Sequence, residues 1–171
     1  MAGKGTSAPW VMPAAARPKL PILIIEARYY ETVAEALIEG AVGELDAQGV
    51  RYERLVVPGA LEIPQVLAAA VATGTMPAAA VAARFSGVIL LGCVIRGETS
   101  HYDIVCNNAN HWCYELAIRH AIPLGNAILT VDTEAQAMAR ASGGRAGKGA
   151  DAARACLRLI EVAAEFAAGK Q

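Results

Sequence analysis

Apolar positions along the chain fall into two alternating patterns, and the alternation predicts the fold. Residues 21–27, Pro-Ile-Leu-Ile-Ile-Glu-Ala, make a short apolar run of the kind a buried strand needs. Residues 32–48 then place Val33, Ala36, Leu37, Gly40, Ala41 and Leu45 on one helical face, closed by Gly49. Residues 51–57 read as a second strand. Pro58-Gly59 turns the chain into a helix over 61–73, with Pro64 in the first turn, where its missing N–H is tolerated. The Ala-rich stretch 74–86 carries no assignment. A third strand over 87–94, a helix over 102–121, a fourth strand over 126–131, a short helix over 133–141 and a long one over 150–168 complete the pattern. In the last helix Ala152, Ala155, Cys156, Leu159, Ile160, Ala163 and Phe166 form the apolar stripe.

Continuous apolar strands alternating with helices predict an α/β protein: a four-stranded parallel sheet buried on both faces, in a three-layer α/β/α sandwich. Residues 20–171 form one domain, and 1–19, rich in Gly, Pro and Ala, read as a flexible N-terminal arm. Trp10 in that arm is either an anchor or an exposed tail aromatic. Ligands of such sheets bind outside the carboxyl ends of the strands. The unusual residues lie there: Arg28-Tyr29-Tyr30 after the first strand, Pro58 to Glu62 after the second, and Arg96 to His101 after the third.

Composition narrows the function. The 171 residues carry a formal net charge of -1 with no charge block, so neither a nucleic-acid groove nor a polybasic membrane patch is expected. No apolar run approaches the ~20 residues that span a bilayer. Residues 1–19 lack the apolar core of a secretory signal, which predicts a cytoplasmic protein. Cys93, Cys106, Cys113 and Cys156 form no C-x-x-C pair and have no histidine cluster at zinc spacing, so buried, reduced thiols and no metal are expected. A thiol nucleophile at Cys93 would need a positioned base, which the sequence does not supply. The P-loop and the G-x-G-x-x-G fingerprint are both absent, so no nucleotide cofactor is implied.

Gly97-Glu98-Thr99-Ser100 offers backbone N–H groups and two hydroxyls at a helix start, which suits a phosphate as well as an ordinary cap by Thr99 or Ser100. His101 is either a general acid/base or a hydrogen-bonding first-turn residue, and Asp103 either orients it or favours the helix end electrostatically. Glu62 is a polar-substrate ligand or a first-turn acid. Tyr29 and Tyr30 stack on a flat ring or pack in a loop. Arg140 and Lys148 are solvated charges unless they reach a rim across a subunit boundary.

Several motifs, in order, carry a family resemblance. Val57-Pro58-Gly59-Ala60-Leu61-Glu62-Ile63-Pro64, Gly92-Cys93-Val94-Ile95-Arg96-Gly97-Glu98-Thr99-Ser100-His101-Tyr102-Asp103 and Leu129-Thr130-Val131-Asp132-Thr133-Glu134-Ala135-Gln136-Ala137 resemble those of the lumazine synthases. The resemblance runs from about Pro21 to the end, with an enlarged loop at 74–86. It implies a flavodoxin-like subunit assembled into a homopentamer, in some members a sixty-subunit icosahedral capsid, with active sites between subunits. It implies condensation of 5-amino-6-ribitylaminouracil with 3,4-dihydroxy-2-butanone 4-phosphate to 6,7-dimethyl-8-ribityllumazine, phosphate and water, without cofactor or metal. By position it assigns proton transfer to His101 and the phosphate to a neighbour's Arg140 with Glu98, Thr99 and Ser100. Tyr29 takes the pyrimidine-stacking place. Ala60, Leu61 and Glu62 line the ribityl and ring region, Cys93, Val94 and Ile95 hold the ring edge, and Lys148 is a late basic residue near substrate. Tyr29-Tyr30 replaces the family's common Phe/Trp-Asn pair, and Asn126 stands at a pocket position where many members have Phe. These departures motivate an alternative, a flavin- or lumazine-binding oligomer with weak catalysis.

Overall fold

A computed structural model describes residues 10–76 and 79–169. The elements follow in the expected order: β1 (Ile22–Ala27), α1 (Glu31–Ala47), β2 (Tyr52–Val57), α2 (Ile63–Ala72), β3 (Gly87–Ile95), α3 (His101–Arg119), β4 (Leu124–Val131), α4 (Glu134–Ala141) and α5 (Lys148–Ala167). Between 74 and 86 the described residues form no helix or strand. All strand pairings are parallel and the sheet order is β2-β1-β3-β4, with Ile22 of β1 opposite both Tyr52 and Gly87.

Side chains of β1 alternate between two cores, as a strand's period of two requires. Ile22 and Ile24 join Ile89, Leu91, Leu37, Leu45 and Leu157 on the α1/α5 side. Leu23 and Ile25 join Val88, Leu90, Ile63, Leu67 and Cys113 on the α2/α3 side. Helices thus cover both faces, which is the three-layer sandwich. The edge strand β2 is less protected: Leu55 and Val56 are exposed.

Two close approaches set the tilt of α5. A Cβ on Gly149 would lie 1.9 Å from the Leu37 carbonyl oxygen, and one on Gly125 would lie 1.9 Å from that of Ala152. This seating buries Ala152, Ala153, Cys156, Leu157 and Glu161. It overturns the expected stripe in part, because Ala155, Leu159, Ala163 and Phe166 face outward once Gly149 fixes which side meets α1. Glu161 joins the buried face through an ion pair with Arg158 at 2.6 Å.

Residues 1–9 of the expected arm lie outside the described residues. Its remainder packs on the domain: Met12 is buried, its N–H donates to Gln48 Oε1 at 2.9 Å, and Trp10 packs against the same core. Packed structure therefore begins before residue 20. The physical reason is that Met12 is buried in the same apolar cluster as Leu37, Ala41 and Leu45 of α1.

Candidate active site

Parallel strands bring the carboxyl ends of β1, β2 and β3 to one rim, and a cleft of about 450 Å³ opens there. Tyr29 and Tyr30 line it from the β1–α1 loop, and Pro58 to Glu62 from the turn after β2. Cys93, Val94 and Ile95 form its floor, and Gly97, Thr99, His101, Tyr102 and Val105 its far wall. The three loops singled out in the sequence therefore meet. Tyr102 and Val105 were not among the candidates, although Val105 lies one helical turn from both His101 and Tyr102, the spacing that puts residues on one helix face.

The two tyrosines meet edge to face, with ring centroids 5.0 Å apart at 70°. Tyr29 is 73% exposed and Tyr30 is half-buried. Below them Arg28 is held by three carboxylates: Glu26 at 3.2 Å, Glu31 at 2.7 Å, and Glu35. That clamp fixes the backbone from which both rings project. Burial, with the neighbouring Tyr29, Cys93 and Glu134, raises the Tyr30 hydroxyl above its ordinary range.

Cys93 is likewise pushed up to about 11, chiefly by burial. It stays a thiol at neutral pH, which removes it as a nucleophile. All four cysteines are free; Cys106 is half-buried and the other three are buried. Among the described residues no three His, Cys, Asp or Glu side chains cluster as a metal would require.

The loop after β3 differs in detail from expectation. Ser100 occupies the N-cap position of α3 without a side-chain capping bond, and Thr99 Oγ1 accepts a long bond from the His101 N–H at 3.4 Å. Of the two roles open to Asp103, the structure supports the second, an acid in the first turn of α3. It faces Arg96 at 3.7 Å, because the first turn of α3 directs it toward the end of β3. His101 is exposed at the cleft wall.

Five candidates stand apart from the cleft's lining in the single chain. Glu98 and Ser100 are exposed beside it. Asn126 turns its amide inward, donating to Asn110 Oδ1 at 2.6 Å and accepting from the Ile128 N–H at 2.7 Å. Arg140 is exposed near the end of α4, and Lys148 pairs with Asp151 at 2.9 Å at the start of α5.

Fold and cleft together define a doubly wound α/β protein with an aromatic- and polar-lined cleft at the carboxyl edge of its sheet, the place where ligands of such sheets bind. The family model for 6,7-dimethyl-8-ribityllumazine synthase matches residues 19–164. The 6,7-dimethyl-8-ribityllumazine synthase of Nitrobacter hamburgensis is 46% identical over 140 residues, 82% of this chain and 83% of that protein. The 6,7-dimethyl-8-ribityllumazine synthase 1 of Rhodopseudomonas palustris is 47% identical over 141 residues, 82% and 84% of the two chains. That of Rhizobium meliloti, also numbered 1, is 46% identical over 149 residues, 87% and 95%. The chain belongs to the 6,7-dimethyl-8-ribityllumazine synthase family.

Proposed function

We propose that this chain condenses 5-amino-6-ribitylaminouracil with 3,4-dihydroxy-2-butanone 4-phosphate, releasing 6,7-dimethyl-8-ribityllumazine, as a transferase of riboflavin biosynthesis. The observation that carries the reading is the meeting of an aromatic wall, Tyr29 and Tyr30, with a proton-carrying wall, Thr99 and His101, across one cleft. The pyrimidine stacks on Tyr29, with its edge along Cys93, Val94 and Ile95. The ribityl chain runs past Ala60 and Leu61 to the Glu62 carboxylate, which accepts its hydroxyls.

The aromatic amine attacks the ketone and water leaves, giving an imine. Loss of the phosphate follows, helped by groups that stabilise the departing anion. The enol that this elimination leaves at C3 tautomerises to a new carbonyl; the ribityl-bearing nitrogen closes the ring on it, and another water leaves. None of these steps needs a strong nucleophile; they need orientation, an anion site and a proton shuttle. His101 moves the protons. Backbone N–H groups of the 97–100 loop and the hydroxyls of Thr99 and Ser100 hold the phosphate, with Glu98 turned away from it.

Arg140 of a second subunit completes the phosphate site, with Lys148 nearby and Asn126 at the pocket edge. The exposure of Arg140 and Lys148 outside the cleft supports a site shared between copies. The assembly is a homopentamer, which a capsid would repeat. Four free cysteines suit the reducing cytoplasm. Among the described residues no helix is long and apolar enough to cross a membrane.

Mixing both substrates with the purified chain and following lumazine absorbance tests the reading. Enzyme-dependent product is expected. Lumazine binding without product formation would overturn it in favour of a binding protein.

A further inference from the structure

Arg96, the first residue after β3, is engaged on four sides. Its backbone N–H donates to the Val131 carbonyl at 2.9 Å, continuing the β3–β4 ladder. Its Nε donates to Asp132 Oδ1 at 3.1 Å, in the turn after β4. Its Nη1 stands 3.7 Å from Asp103 Oδ1, in the first turn of α3. Its guanidinium carbon lies 4.1 Å from the centroid of the Tyr102 ring, which lines the cleft.

We infer that Arg96 is a positioning residue that sets where the 97–101 loop and His101 stand relative to bound substrate. The inference rests on the proposed reaction and deepens it. Gly97 to Ser100 are exposed, and among the described residues the one side-chain bond within that loop is the long one from His101 N–H to Thr99. The loop therefore takes its placement from its two ends. Arg96 ties the first end to the β4 turn and, through Tyr102 and Asp103, to the helix turn on which His101 begins. One planar guanidinium can face a ring while its edge serves two carboxylates; an ammonium cannot do both.

Global stability is not where this residue acts. Its side chain is 48% exposed, and exposed ion pairs contribute little to folding. Function is different, because a proton carrier and an anion cradle tolerate only small misplacement. The phosphorylated ketone, held at the loop, feels the displacement. The pyrimidine, held at Tyr29 on the opposite wall, does not.

The test is steady-state kinetics of Arg96→Gln and Arg96→Lys with each substrate varied in turn, alongside thermal melting. Both variants are expected to melt within about 3 °C of wild type. Their kcat/KM for the butanone phosphate is expected to fall about tenfold, with KM for the ribitylaminouracil within about twofold. A wild-type kcat/KM for the ketone in both variants would overturn the inference, as would an equal rise in KM for both substrates. Should Arg96→Gln fail to fold, Arg96→Lys decides by the same criteria. A wild-type chain that forms no lumazine overturns the reaction itself; active wild type with unchanged variants overturns only the role of Arg96.

Discussion

Arg54 grips Glu26 through both carboxylate oxygens, Nε to Oε1 at 2.8 Å and Nη2 to Oε2 at 3.1 Å. Glu26 is 1% exposed, on the inner strand β1, while Arg54 sits on the edge strand β2 with 42% exposure. Arg28 adds a third contact to the same carboxylate. A buried anion is thus held by two cations that both reach solvent.

Glu26→Gln should destabilise the fold by about 1–3 kcal/mol. The carboxamide accepts through one oxygen, and both arginines lose a charged partner, although their exposure lets water recover part of the loss. Urea unfolding at neutral pH measures it. A stability within 0.3 kcal/mol of wild type, a limit set by about the scatter of such measurements, would show that water replaces the pair without loss.

Glu44 gives the fold an acid-sensitive point. Burial opposes its ionisation, yet hydrogen bonds from Gln48 and Arg145 and the charge of Arg154 outweigh it and hold the carboxyl below its ordinary range. A lowered folded value means stability that is present above the unfolded value near ~4.3 and is lost as pH falls through the folded one. Wild type should therefore lose its advantage over Glu44→Gln as pH falls from about 4.3 through the lowered folded value. Urea melts at several pH values measure the gap; a gap that stays constant to acid pH would refute the assignment.

His101→Ala should slow lumazine formation about a hundredfold, the low end for a positioned proton carrier. Because His101 is exposed, melting temperature and native mass should not change. Full activity in this variant would move proton transfer elsewhere.

Alkylation distinguishes the thiols. Burial holds Cys93 at about 11 and Cys113 and Cys156 at about 12. In native protein at pH 8, iodoacetamide should leave these three unmodified over a time that labels all four cysteines in urea. Peptide mass spectrometry reads the sites, and prompt native labelling of Cys93 would show an accessible thiolate in the cleft.

The sequence made the strands legible where apolar runs were continuous, as in β1 and β3, and the rim followed because parallel strands end together. Three kinds of fact were hidden. The partner of Arg96 lies 36 positions away at Asp132, a contact that only the β3–β4 pairing creates. The buried face of α5 depended on Gly149 meeting Leu37, so a helical wheel alone favoured Leu159 and Phe166 wrongly. The end of α3 came at Arg119 because Ala121 turns to a left-handed φ of 51°, where no glycine advertised a stop.

The strand order has a consequence in time. β1 must pair with β3, and Ile22 meets Gly87 only after α1, β2 and α2 have been set aside as a loop between them. Closing a loop of that length comes before any of the pairing that rewards it, so the central sheet forms late and slowly compared with its local helices. A ribosome-bound chain that has emerged only through α2 can pair β1 with β2 but leaves the other edge of β1 open. The other edge of β1 is paired only when β3 arrives, and the end of that same strand then lays the floor of the cleft, to which α3 adds the far wall.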